Sequence, residues 1–297
     1  MGLQLLTPPA VEPVSLDELK TFLRMDVGDT SQDDTITSLA IAGRYFAETF
    51  TRRRFVTQQW RLLMDYFPGY IDMKLAGAKV SSPFVSGSNA VLVGIRYAVL
   101  LPFPPVRSID LFQYLDANGN STVLNPQSNA SPPADGEYVA DIVSNPARLM
   151  PPFGRMWPVA RVIANAVQVD YTVGYGGPVT VTMTAGQKAI SGHIFSAGDI
   201  GRPISIPGAG PDGGTLNTFV DSVGPSGNGT ARDAASTAVN GVTAILVNNP
   251  NANPGHWELI RNAIKLWVNG RYSQRLPDQD IQENVESLLW PVRDIRK

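Results

Sequence analysis

The chain has 297 residues, 43% of them hydrophobic, and contains no cysteine, which excludes disulfides, thiolate zinc sites, iron–sulfur clusters and cysteine nucleophiles. The net charge of −2 predicts no strong general attraction to nucleic acid or to anionic lipid. Charged residues, at 17%, fall below the roughly 25% of an average globular protein, and 27 glycines with 24 prolines predict many turns and short strands. No run approaches the roughly 20 apolar residues of a membrane span, and residues 1–13 lack a basic segment followed by an apolar core. The expectation is a soluble protein with no signal peptide and no membrane partner.

After a start punctuated by Pro8, Pro9 and Pro13, Ser15 followed three residues later by Glu18 is a capping box. Leu16, Leu19 and Leu23 then recur at helical spacing, so a helix is predicted from about Ser15 to Met25, ending near Gly28. A second helix starts at the acidic pair Asp33–Asp34 and runs to about Arg52, with Ile36, Leu39, Gly43, Phe46 and Phe50 on its apolar face. The two form a helical hairpin.

From Phe55 to Tyr175 the signals are strand-like, over Gln58–Phe67, Val91–Leu100, Arg107–Leu115 and Ala166–Val173. Residues 116–120, Asp-Ala-Asn-Gly-Asn, predict a hairpin turn. Pro102, Pro104 and Pro105 demand an edge or a corner. From Pro178 to Pro254 the composition turns to Gly, Ser, Thr, Ala and Val, with short β-like runs at Thr180–Thr184, Pro203–Pro207, Thr218–Val223 and Val242–Val247. This reads as a small β module inserted into a host domain. Helical spacing returns after Pro254 in Trp257, Ile260, Ile264, Trp267 and Val268, and a last helix spans about Asp278 to Leu289. Terminal helix pairs this short are not stable alone. The expected fold is therefore α+β, a small helical bundle formed by N- and C-terminal helices, with a β-rich middle region and an inserted small β domain. The expected boundaries are 1–54, 55–177, 178–253 and 254–297.

Constellations that carry chemistry fail on context. His193 and His256 have no metal-ligand spacing and read as surface or interface residues. Gly208-Ala-Gly-Pro-Asp-Gly213 matches G-x-G-x-x-G, but no amphipathic helix follows it, so a loop between strands is expected. Asp116, Asn118 and Asn120 resemble the start of a calcium loop, but its twelfth position is Gln127 instead of Glu. No catalytic residue, metal or cofactor is expected. The densest basic run, Arg52, Arg53 and Arg54, closes the second helix; it suits the helix C-terminus, or contact with DNA phosphates or an acidic partner.

The order of several segments resembles the head–tail connector (adaptor) proteins of tailed bacteriophages. They are Pro13–Arg24, Ala42–Thr51 leading into Gln58–Trp60, Leu101–Ile109, Pro146–Leu149, Trp157–Pro158, Asn165–Tyr175, Ile260–Leu266 and Val285–Arg293. The inserted module departs from that pattern, although Phe195–Ile204 is similar to small β repeats of other phage structural proteins. The resemblance implies a ring of adjacent copies, twelve of them, docked beneath a portal protein. Such a ring extends the DNA channel, touches double-stranded DNA transiently and without sequence preference, and presents a face to the next tail or stopper component. It places the chain in the virion neck, after assembly in the host cytoplasm. The short apolar end Leu288, Leu289, Trp290, Pro291, Val292 and Arg293 is expected to pack on a neighbour or on the portal, or alternatively to cap its own bundle. A second reading is a tail-associated carbohydrate- or receptor-binding protein, which predicts exposed aromatics on the inserted module.

Overall fold

The computed structural model describes residues 1–9, 11–68, 97–127, 136–196, 199–247, 254–273 and 278–293. It is mixed helix and antiparallel sheet. The chain divides into two compact units, Met1–Pro8 with Gln58–Gly174, and Pro9–Thr57 with Tyr175–Lys297.

The first unit holds two sheets. Strands β1 (Gly2–Thr7), β2 (Gln58–Met64), β8 (Val167–Val173), β4 (Val106–Leu115) and β5 (Ser121–Val123) lie in that order in one. Strands β3 (Val99–Leu101), β7 (Ala147–Met150) and β6 (Val139–Asp141) form the other. Central β8 alternates as a half-buried strand should, with Val167, Val169, Tyr171 and Val173 fully buried. The core is aromatic: Phe67 stacks on Trp157 at 5.0 Å between centroids, and Phe112 meets both edge-on. The Trp157 indole N–H donates to the Tyr97 carbonyl at 2.6 Å, so burying the ring leaves no orphaned donor.

The turn at residues 116–120 joins β4 to β5. Asp116 Oδ1 accepts from the backbone N–H groups of Asn118 (2.8 Å) and Asn120 (2.9 Å), and Gly119 supplies the positive φ of 89°. The prolines between β3 and β4 mark the corner where the chain leaves one sheet for the other. Of the expected run Val91–Leu100, residues 91–96 lie outside the described residues, and Val99–Leu101 forms β3. Strand β1 had no expectation in sequence. It is made by pairing with β2, as in Leu3↔Leu62 and Leu5↔Trp60, across more than fifty residues of chain.

The second unit contains four helices among the described residues: α1 (Leu16–Phe22), α2 (Asp33–Thr51), α3 (Pro254–Ser273) and α4 (Asp278–Leu289). The capping box forms as its residues require, with Ser15 Oγ accepting from the Glu18 N–H at 3.2 Å. Helix α1 stops earlier than the sequence predicted, because the buried Lys20 ammonium gathers the following turn around itself. It donates to the carbonyls of Val27 (3.1 Å) and Asp29 (2.8 Å) and pairs with Asp33 at 2.5 Å. All four helices contribute to one apolar core, through Leu19, Ile36, Ala47, Ile264, Val285 and Leu289 among others.

The same unit contains the Gly-rich module. Its strands are β9 (Gly177–Met183), β10 (Ala189–Ile190), β11 (Pro203–Ile206), β12 (Leu216–Val223), β13 (Gly229–Ala231) and β14 (Val239–Leu246). They form one antiparallel sheet ordered β10-β13-β12-β11-β14-β9. A bridge between Thr182 and Ser191 brings the two ends together, so the sheet nearly closes on itself around Val181, Ile190, Ile204, Val220 and Leu246. The G-x-G-x-x-G segment is the loop between β11 and β12, closed by Gly210 N–H donating to Gly214 O at 2.9 Å. Arg232 of the module donates to Ser15 Oγ at 2.6 Å, the same oxygen that caps α1.

Candidate assembly surfaces

The basic run at the end of α2 does not act as a unit. Arg52 is the left-handed C-cap residue and is exposed. Arg53 donates to the Tyr175 hydroxyl at 3.1 Å. Arg54 is buried, with its Nε 3.9 Å from Glu48 Oε2. Glu48 is itself buried and also accepts from Arg44 (3.2 Å) and from the Phe55 backbone N–H (2.9 Å). Two of the three arginines thus serve the interior of the unit, and Arg52 presents its charge to solvent.

The terminal apolar segment is divided in the same way. Leu289 and Val292 are buried in the helical core, and Leu288 packs against it. Trp290 is 56% exposed and lies 6.5 Å from the Phe50 ring, with the Arg293 guanidinium over both rings at 5.2 and 4.7 Å. Pro291 is exposed. One half of the expected interface residues hold the chain's own helices together, and the other half form a small aromatic–cation surface.

A charged clip fixes α1 to α3. Glu18 pairs with Arg261 and with Lys265, each at 2.5 Å, and Arg261 also reaches Glu258 at 3.0 Å. Burial by itself raises the Glu18 carboxyl, but the hydrogen bonds from Lys265 and Arg261 outweigh it and hold the group below the usual carboxylate range. Glu12, which accepts from Arg44 Nε at 2.8 Å, goes the other way: burial pushes it above that range despite its partner.

Beside α1 lies an open cleft of about 220 Å³. Val14, Leu16, Leu19 and Phe219 give it an apolar wall, and Glu12 and Thr37 contribute polar groups. Sequence reasoning did not find it, because β12 reaches α1 only through the tertiary fold. It also passed over Phe153, which is 92% exposed at a turn of the first unit. The dipeptide Pro151–Pro152 before Phe153 and Gly154 after it was a legible turn signal.

His193 stands edge-on to Phe195 at 4.8 Å, and His256 falls in the first turn of α3. Among the described residues, no group of three or more His, Asp or Glu side chains could hold a metal ion. The module's two aromatics, Phe195 and Phe219, are respectively buried and half-buried beneath Arg232 at 5.3 Å.

No protein-family model matches the chain, and no curated protein sequence does. Among solved structures it is similar to a chain of the neck of an empty gene transfer agent (GTA) particle computed with C6 symmetry. It is similar to the same degree to a chain of the virion of a native GTA particle. Both have 13% identity and a TM-score of 0.48, over 100% of this chain and 97% of the other. A chain in the neck of a native GTA particle computed with C12 symmetry is 12% identical, with a TM-score of 0.43 over the same shares.

Proposed function

We propose that this chain is a non-catalytic structural protein of the virion neck, a head–tail connector that forms a ring under the portal and continues the DNA channel toward the tail. The observation that carries the reading is the meeting of the segments that resemble connector proteins at the two ends of the sequence. Pro13–Arg24, Ala42–Thr51, Ile260–Leu266 and Val285–Arg293 all contribute to one core, although more than two hundred residues separate the first from the last. A resemblance assembled by chance from unrelated segments has no reason to converge on one packed body. In this reading the Trp290–Arg293 surface meets a neighbour or the portal, Arg52 faces passing DNA, and the ring presents a face to a downstream tail component. Against the carbohydrate-binding alternative, Phe195 is buried and Phe219 is half-buried beneath Arg232, so neither is a fully exposed stacking platform.

The test is assembly. Purified chain mixed with its cognate portal is expected to give a ring-shaped complex of defined mass, and particles lacking the chain are expected to hold DNA but fail to join tails. Tailed, infectious particles formed without it would sink the proposal.

A further inference from the structure

Helix α2 carries its charge on the inside. Between Thr35 and Thr51 its only charged residues are Arg44 and Glu48. Both are buried, and they pair with each other, with Glu12 and with Arg54. The outward side carries no charge over the same span: Ser38, Ile41, Ala42, Tyr45 and Thr49 are exposed there, Ile41 to 44% and Tyr45 to 67%. A helix side that stays in water is ordinarily the charged one. Single exposed apolar side chains elsewhere, such as Ile194, need no explanation. A whole helix face without charge, with a tyrosine near its centre, has the composition of an interface core.

Charge returns at the two ends of that face. Asp34, Ser38, Ile41, Tyr45, Thr49 and Arg52 follow one another in steps of three or four residues, so they lie along one line of the helix. Asp34 and Arg52 are exposed, stand about 27 Å apart at 1.5 Å per residue, and form no ion pair among the described residues. Gly43 is the midpoint of Asp34 and Arg52, and it is also the midpoint of Ile41 and Tyr45. Laid antiparallel against a copy of itself about that midpoint, the line brings Asp34 to Arg52 twice and Ile41 to Tyr45 twice. A parallel arrangement would set Asp34 against Asp34 and Arg52 against Arg52.

We propose that the outer face of α2 is a self-association surface on which two copies pair about a two-fold axis, with their α2 helices antiparallel. Ile41 and Tyr45 of both copies form its centre, and Asp34 of each copy faces Arg52 of the other. A contact one helix wide belongs to the weak class, below roughly 1,200 Å², so the pair exchanges readily. An isologous contact closes on two copies and cannot by itself run on into a ring. The pairing therefore goes beyond the connector reading and does not rest on it; Arg52 is available to DNA only in a copy that has left the pair.

Charge reversal tests the register. Asp34→Arg and Arg52→Asp each put two like-charge contacts into the pair, and each should weaken self-association of the full chain about tenfold at low salt. Mixing the two single variants restores both opposite-charge contacts, so a mixed pair close to wild-type affinity is expected in sedimentation equilibrium. The double variant Asp34→Arg/Arg52→Asp should pair with itself equally well. Tyr45→Ala should weaken the pair about tenfold, and at high salt as well as low. All three positions are exposed, so melting temperatures should stay near the wild type. Where a reversal lowers the melting temperature, Asp34→Asn or Arg52→Gln should give a smaller loss of association in the same direction. A wild-type chain that stays monomeric at about 1 mM overturns the pairing. So do single variants that associate like the wild type, or a mixture that pairs no more tightly than its components.

Discussion

Gly43 and Trp267 face each other so closely that a Cβ on Gly43 would lie 2.8 Å from Trp267 Cδ1. The absent side chain is what admits the indole between α2 and α3, where it stacks on Phe46 at 4.4 Å between centroids. Glycine in mid-helix is unfavourable by itself, so its place here is explained by the partner helix.

Gly43→Ala should therefore destabilise. Overpacking costs about 1–3 kcal/mol, and the better helix propensity of alanine returns at most about 1 kcal/mol. A net loss of about 1–2 kcal/mol is expected in urea unfolding, and Trp267→Leu in the same chain should recover part of it. A stabilised Gly43→Ala variant would show that the two helices can move apart freely.

Glu12, before α1, and Glu18, in its first turn, should give pH profiles of opposite sign. Glu18 is held below the ordinary carboxylate value of 4.5, so its contribution is full above that value and is lost as pH falls through its folded value. Glu12 lies above 4.5, so its contribution is full below that value and declines as pH rises through the raised one. Glu18→Gln should remove a stabilisation of about 1–3 kcal/mol at neutral pH, the range between exposed and buried pairs, and flatten the acid limb. Glu12→Gln should instead remove the decline just above 4.5. Thermal melts between acidic and neutral pH distinguish the two; identical profiles would contradict both assignments.

The terminal segment separates folding from docking. Leu289→Ala, at a fully buried position, should cost about 2–5 kcal/mol of stability. Trp290→Ala, at a position 56% exposed, should cost less than about 1 kcal/mol yet weaken attachment to a neighbour or portal. Melting curves together with portal pull-down test this. A Trp290→Ala variant that docks like the wild type would leave Trp290 a simple lid on Phe50.

The arginine run should likewise divide. Arg52→Ala is expected to leave stability within about 0.5 kcal/mol and, if Arg52 faces DNA, to lower the salt slope of DNA retention by about 1. Glu48→Ala leaves Arg44 and Arg54 without their shared carboxylate and should cost about 3–5 kcal/mol. Equal effects from the two variants would refute the division into an exposed and an interior half.

Elements whose causes are local were legible. The Ser15–Glu18 box, the acidic start and apolar spacing of α2, the turn at Asp116–Asn120 and the span Asp278–Leu289 all formed where their residues predicted. Strand β1 was not legible, because Gly2–Thr7 becomes a strand only by pairing with β2. The α1 terminus was misplaced because a buried lysine, not a helix-stop residue, draws the chain away.

Periodicity, capping and composition act over a few residues, so the sequence by itself determined where helices and turns begin and that no thiol chemistry is possible. Which members of a motif are usable was decided by tertiary structure. Arg52, Arg53 and Arg54 are equivalent as a string, yet Glu48 holds Arg54 in the interior, Tyr175 engages Arg53, and Arg52 is left in water. The cleft beside α1 became visible only in three dimensions, because concavity depends on how distant segments pack and leaves no periodic trace along the chain.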